Sequence, residues 1–226
     1  MIFKAIAVSV ILVAVTVPAA MGQLSRAMGD EPLSVEMMII RENSISAVRQ
    51  QNLFALVYTA NAIDRGVSDP EVYAALERLV LGGSFNRVVA GGRVVNNFPD
   101  VRFEAARQLG MMGTEEARDI LLRACLSERD PIVLHEVMNS LGSISAAEND
   151  RTVATIVWVA GMFHRANSPN NHVALATVNA LDSIFQRDGG VTYPAAFWYL
   201  FAVAEGPYVL DVRTRAWEVI DNLRDF

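Results

Sequence analysis

The chain has 226 residues, 52% of them hydrophobic, with a mean hydropathy of +0.27. That is enough apolar material for a sizeable core, so disorder across the whole chain is excluded. A formal net charge of −6 makes nucleic acid a poor partner, because an acidic surface repels phosphate. The single cysteine, Cys125, excludes both an intramolecular disulfide and a thiolate zinc site.

Residues 1–22 read as a secretory signal peptide. Lys4 gives a positive start, and Ala5 to Val17 is apolar except for Ser9 and Thr16. Pro18 then breaks the run, and Ala20-Met21-Gly22 puts small residues at a cleavage site after Gly22. No cysteine stands near that point to carry a lipid, and no arginine pair precedes the apolar run. The alternative is an uncleaved N-terminal anchor, since Met1 to Gly22 is just long enough to approach a bilayer span. No later segment is apolar enough to cross. The expected location is the periplasm or the medium. Lys4 is also the only lysine, the other 18 basic residues being arginine. After leader removal no lysine remains for a Schiff base or a phosphate-binding loop.

Residues 23–44 form an N-terminal segment with a short helix, and residues 45–226 form the main domain. That domain repeats. Val101, Ala105 and Leu109 are spaced i, i+4, i+8, so they lie on one face of a helix. The same trio returns as Val133, Val137, Leu141, then as Val173, Thr177, Leu181, and as Val212, Ala216, Ile220. A weaker copy is Val48 and Leu56 with Asn52 between them. Gly follows the last leucine in two copies, as Gly110 and Gly142.

Between the trios lie second helices with stripes of their own: Val72, Ala75, Leu76, Leu79; then Ala117, Ile120, Leu121, Ala124, Cys125; then Val153, Ile156, Val157, Ala160. Asp69-Pro70, Asp130-Pro131 and Ser168-Pro169 mark helix starts, where Asp or Ser caps and Pro is tolerated. Thr114-Glu115-Glu116 opens another helix, with carboxylates favoured by the dipole. The first helices fall near residues 35–63. Gly82 to Phe98, rich in Gly and Asn, reads as a long inter-repeat loop, and Arg87-Val88-Val89 and Arg93-Val94-Val95 are too short to argue strands. The whole is an all-α solenoid of four or five antiparallel helix pairs, because one pair cannot bury its own stripe.

Asp100-Val101-Arg102 with Ala105 and Leu109-Gly110 resembles the HEAT repeat family, and Asp211-Val212-Arg213 with Ala216 resembles it again. The likeness covers most of residues 45–226 and is strongest over 99–145. Leu134 and Ala174 depart from it where arginine is expected, and Asn52 and Thr177 where a small apolar residue is. The resemblance implies a superhelix that binds a protein partner along its surface. It also implies that Arg102 and Arg213 pair with an acidic residue of an adjacent repeat, or else touch the partner.

Signals for chemistry are sparse. His135-Glu136 lacks the second histidine at Asn139 that a zinc-protease helix requires. His164 and His172 flank a polar loop. Cys125 lies on an apolar stripe, where a thiol is inert. No Gly-x-Ser-x-Gly elbow exists, and Gly82-Gly83 and Gly91-Gly92 lack the context of a phosphate cradle. Glu115-Glu116 and Glu148 with Asp150 sit at helix starts, where capping accounts for them. Phe197-Trp198-Tyr199, Phe201 and Trp217 form an aromatic cluster, read as end-cap packing or as a docking surface. No catalytic, cofactor-binding or metal-binding residue is assigned, and no cofactor. The chain is expected to be a non-enzymatic scaffold or adaptor of the bacterial cell envelope with a protein partner. The alternative is an envelope enzyme or glycan-binding protein that uses carboxylates in the solenoid groove. The oligomeric state is open.

Overall fold

The computed structural model describes residues 34–145, 149–165, 169–190 and 193–223. The expected signal peptide lies outside the described residues. Ten helices account for most of the described chain: α1 (Val35–Ile45), α2 (Arg49–Asp64), α3 (Pro70–Leu81), α4 (Pro99–Met112), α5 (Glu115–Ser127), α6 (Pro131–Ser143), α7 (Asp150–His164), α8 (Asn171–Asp188), α9 (Pro194–Ala204) and α10 (Leu210–Asn222). None of them is long and apolar enough to cross a membrane.

The helix starts follow local chemistry. Asp69 accepts from the Glu71 amide at 2.8 Å, and Asp130 from the Ile132 amide at 2.9 Å, each with proline at the first helical position. Thr114 caps α5 through the Ala117 amide at 3.2 Å. At α8 the cap is Asn170, which accepts from the His172 and Val173 amides, rather than Ser168, which lies outside the described residues. Ser168-Pro169 marks the helix start two residues early.

The helices stack in two layers. The even helices α2, α4, α6, α8 and α10 pack in chain order, each on the next, and the odd helices α1, α3, α5, α7 and α9 do the same beside them. Within each of the pairs α1–α2, α3–α4, α5–α6, α7–α8 and α9–α10 the two helices pack on each other, which joins the layers into five helix pairs. The architecture is the expected all-α repeat solenoid. α1 belongs to it, because it packs on both α2 and α3. The packed array therefore takes in residues from Val35 on, including the short helix that sequence reading set ahead of the repeat domain.

The trios form the seam of the even layer. Val101, Ala105, Leu109, Val133, Val137, Leu141, Val173, Thr177, Leu181, Val212, Ala216 and Ile220 are all buried. The weak copy departs for a visible reason. Val48 is exposed at the cap of α2, while Asn52 is buried and donates to the Asn43 and Ser46 carbonyls, closing the turn between α1 and α2. Thr177 offers its hydroxyl to the Val173 carbonyl at 2.7 Å, which lets a polar residue occupy an apolar site. A second buried polar bridge, Thr59 to Gln108 at 2.6 Å, ties α2 to α4.

The two glycines of the repeat set the closest helix approaches. A Cβ on Gly110 would stand 2.6 Å from the Ser140 hydroxyl, and one on Gly142 would stand 2.7 Å from the Ala180 Cα. So α4 meets α6, and α6 meets α8, over bare backbone, and these two junctions are the most extensive of the layer. At the α8–α10 junction Asp182 takes the glycine's place and pairs with Arg215 at 2.5 Å. At α2–α4 the place is taken by Val57, which is exposed, and the ends are tied by Arg49 to Asp100.

Candidate interaction surface

The region expected as a plain loop is a β-hairpin on a fixed base. Strand β1 (Val89–Ala90) pairs antiparallel with β2 (Arg93–Val94), in register Val89 with Val94 and Ala90 with Arg93. Gly91 and Gly92 turn the chain with φ of 57° and 76°, the pair of left-handed residues that a two-residue hairpin turn demands. Val95 donates to the Val88 carbonyl at 2.9 Å. Antiparallel alternation then makes Val89 and Val94 a non-hydrogen-bonded pair, whose peptide groups face outward along both edges.

Below the strands, Asn96 accepts from the Val88 amide at 2.9 Å and donates to the Asn86 carbonyl at 2.7 Å. The base is held by Arg102. Its guanidinium reaches the Gly82 carbonyl and Asn97 Oδ1 on one side and Glu128 Oε2, at 2.6 Å, on the other. The ion pair is nearly sealed, at 4% and 3% side-chain exposure. Glu128 Oε1 also accepts from the Arg129 and Asp130 amides, so both its oxygens are engaged. This realises the ladder contact implied for Arg102. Arg213 differs: it donates to the Ala204 carbonyl at 2.9 Å and forms no ion pair among the described residues.

Above this base the hairpin is apolar and exposed. Phe85 is 70% exposed and Val89 62%, and Val88, Val94 and Val95 are exposed as well. Three half-open clefts surround the root. One of about 450 Å³ lies against the ends of α1 and α3, lined by Asn52, Arg78, Phe85, Arg87 and Val88. One of about 360 Å³ includes Arg87, Arg102, Glu128, Arg129 and Asp130. A third, about 340 Å³, is lined by Leu81, Phe85, Arg123, Leu126 and Ser127. Phe85 and Arg87 are each shared between two clefts.

The electrostatics set this place apart. From Leu79 to Pro99 the sequence has no acidic residue and two arginines, in a chain of net charge −6. Arginines elsewhere are mostly matched with carboxylates, as in Arg49–Asp100, Arg65–Glu36, Arg78–Glu71, Arg123–Glu77 and Arg215–Asp182. Among the described residues the Arg87 side chain donates to the Ser84 carbonyl alone, and that of Arg129 to the Leu126 and Glu128 carbonyls. Arg93 has no partner among the described residues.

The other singled-out residues fall elsewhere. His164 stacks on Tyr208 and bonds its hydroxyl at 2.9 Å, with Tyr199 alongside. His172 sits instead by His135, ring centroids 6.4 Å apart. The two histidines at the polar loop are thus separated, and among the described residues no group of three or more His, Cys, Asp or Glu is placed to hold a metal. Cys125 is buried, and burial pushes its thiol up to about 12. Glu115 and Glu116 are exposed in the first turn of α5; Glu148 lies outside the described residues. Tyr199 is core, but Phe197, Trp198, Phe201 and Trp217 are exposed at the end of the array, Phe201 and Trp217 edge to face at 5.8 Å.

Carboxylates also line clefts, as the groove alternative requires. Glu136 lines a shallow one with Arg107, Gly110 and Asn139, and burial raises its pKa above the usual carboxylate range. Its neighbour Glu104 is taken by Arg107 at 2.7 Å. The cleft that holds two carboxylates, Glu128 and Asp130, has one in the buried ion pair and the other capping α6.

With this geometry in view, residues 94–157 match the family model described as HEAT repeats. That stretch is similar to HEAT repeats, and the helix pairs on either side of it continue the same stacking. The matched stretch runs from β2 to the middle of α7 and contains both glycine-mediated junctions' shared helix, α6. Repeats of this kind generally mediate contacts between proteins and are typically non-catalytic. No curated protein and no solved structure matches the chain.

Proposed function

We propose that this helical-repeat protein is a non-catalytic scaffold of the bacterial cell envelope, exported by residues 1–22 and holding a partner protein on the solenoid surface. The observation that carries the reading is the hairpin. Phe85, Val88, Val89, Val94 and Val95 stand in water on a base fixed by a buried arginine. Exposed apolar side chains on a rigid element are what a protein interface uses, since they lose little conformational entropy on binding. Export rests on Lys4, the apolar run Ala5 to Val17, and the small residues of Ala20-Met21-Gly22.

The test is a photo-crosslinking residue at Val89 in living cells, with mass spectrometry of the adducts. Covalent adducts to defined envelope proteins are expected at Val89 and absent at the exposed control Gln186. If no position on the hairpin or along the helices gives an adduct above background, the scaffold reading is wrong. N-terminal sequencing of the mature protein settles export separately: a chain that begins after Gly22 has lost its leader, and one that begins at Met1 has kept it.

A further inference from the structure

We infer that the hairpin and the clefts at its root receive an extended, acidic segment of a partner protein that carries alternating apolar side chains. The inference rests on reading the chain as a protein-binding scaffold and names the chemistry of the partner. Charge points to the acid. Arg78, Arg102 and Arg123 in this region are paired with carboxylates, but Arg87, Arg93 and Arg129 have no carboxylate partner among the described residues. On a protein otherwise acidic, they form a local positive field that an acidic chain complements and a basic one does not.

Shape points to an extended segment. The Val89 and Val94 peptide groups face outward at the two edges of the ribbon, ready to pair with another strand. Phe85, Arg87 and Val88 line the 450 Å³ cleft together, and Arg87 also lines the 360 Å³ cleft, so apolar and acidic side chains of such a strand both find partners at the root. Asn52 adds a feature inside the larger cleft. Its amide nitrogen is used twice, by the Asn43 and Ser46 carbonyls, which leaves its Oδ1 as an acceptor for a donor on the ligand.

A bilayer is the poorer fit. The hairpin has no Trp or Tyr to sit at a headgroup boundary, and open strand edges cannot enter hydrocarbon without losing hydrogen bonds.

The probe is a fluorescein-labelled peptide of alternating Asp and Val, titrated with the mature chain and followed by anisotropy. Three comparisons run beside it: a Lys–Val peptide, an Asp–Val peptide with Pro at alternate positions, and anionic vesicles of phosphatidylglycerol. The Asp–Val peptide is expected to saturate, to weaken with added salt, and to bind roughly tenfold or more weakly to the Arg87→Glu/Arg93→Glu variant. The Lys–Val and Pro-bearing peptides are expected not to compete. Should the double variant unfold, salt and the two control peptides still decide the matter on the wild-type chain.

The inference is overturned if the Asp–Val peptide fails to bind, or if Lys–Val binds as well. It is equally overturned if only vesicles bind, or if sedimentation shows the hairpin occupied by a second copy of this chain. A failed peptide together with crosslinks elsewhere on the array sinks this inference and leaves the scaffold standing. Absence of crosslinks anywhere sinks the scaffold itself.

Discussion

Arg102 on α4 ties three places together: Gly82 at the end of α3, Asn97 at the hairpin base and Glu128 in the turn before α6. Arg102→Ala leaves Glu128 charged and buried without its partner, and a loss of about 3–5 kcal/mol is expected in urea unfolding. Glycines give a sharper contrast. Gly142→Ala forces its methyl onto the Ala180 backbone and should destabilise by about 1–2 kcal/mol even after the gain in helix propensity. Gly161→Ala meets only the flexible end of Arg165 and should stabilise by roughly 0.5–1 kcal/mol. Equal effects at the two sites would refute close approach as the role of Gly142. Glu136 supplies a pH signature. Burial raises its folded pKa, so its favourable contribution is present below the unfolded carboxylate pKa and is lost as pH rises through the folded one. Glu136→Gln should therefore melt higher than wild type at pH 7, and the gap should narrow as the pH falls and close well below the unfolded carboxylate pKa of about 4.3, where wild-type Glu136 is protonated in both states.

Among the elements, the helices were legible because burial imposes a period. A valine at each turn's end on one face has no other use than a seam, and α4, α6, α8 and α10 carry their trios where that logic puts them. The hairpin was not legible as strands. Each strand is two residues long and exposed on both faces, so no alternation exists to be read. One signal was present: two glycines between two β-branched runs, the spacing of a tight hairpin. Arg213 misled for a related reason. The motif fixes where an arginine sits on its helix, not which acceptor the neighbouring turn offers, and here that turn offers a carbonyl. Because the ribbon above Asn86 and Asn96 buries nothing, replacing residues 88–95 with a short Gly-Ser link should change the melting temperature by about 2 °C or less. A large drop would mean that the ribbon packs on the helices in solution.

At the scale of the whole array, stability is a sum over neighbours. The two junctions closed over glycine are the broadest, and the outer two are narrower, with an exposed ion pair at one and a half-buried pair at the other. Amides of α1, α2, α9 and α10 should therefore exchange with deuterium about tenfold faster or more than those of α4 to α8. Uniform protection from end to end would show that the outer junctions are as strong as the inner ones. Where the outer junctions stand is marked in the sequence by Asp182 and Val57, which break the Leu-Gly pattern; how narrow they are depends on how the helices pack. The sealed position of Cys125 has a practical side. A maleimide or iodoacetamide finds no thiolate to attack on the native protein. A cysteine introduced as Val89→Cys would then be the one group such reagents reach, and a dye placed there reports on the ribbon alone.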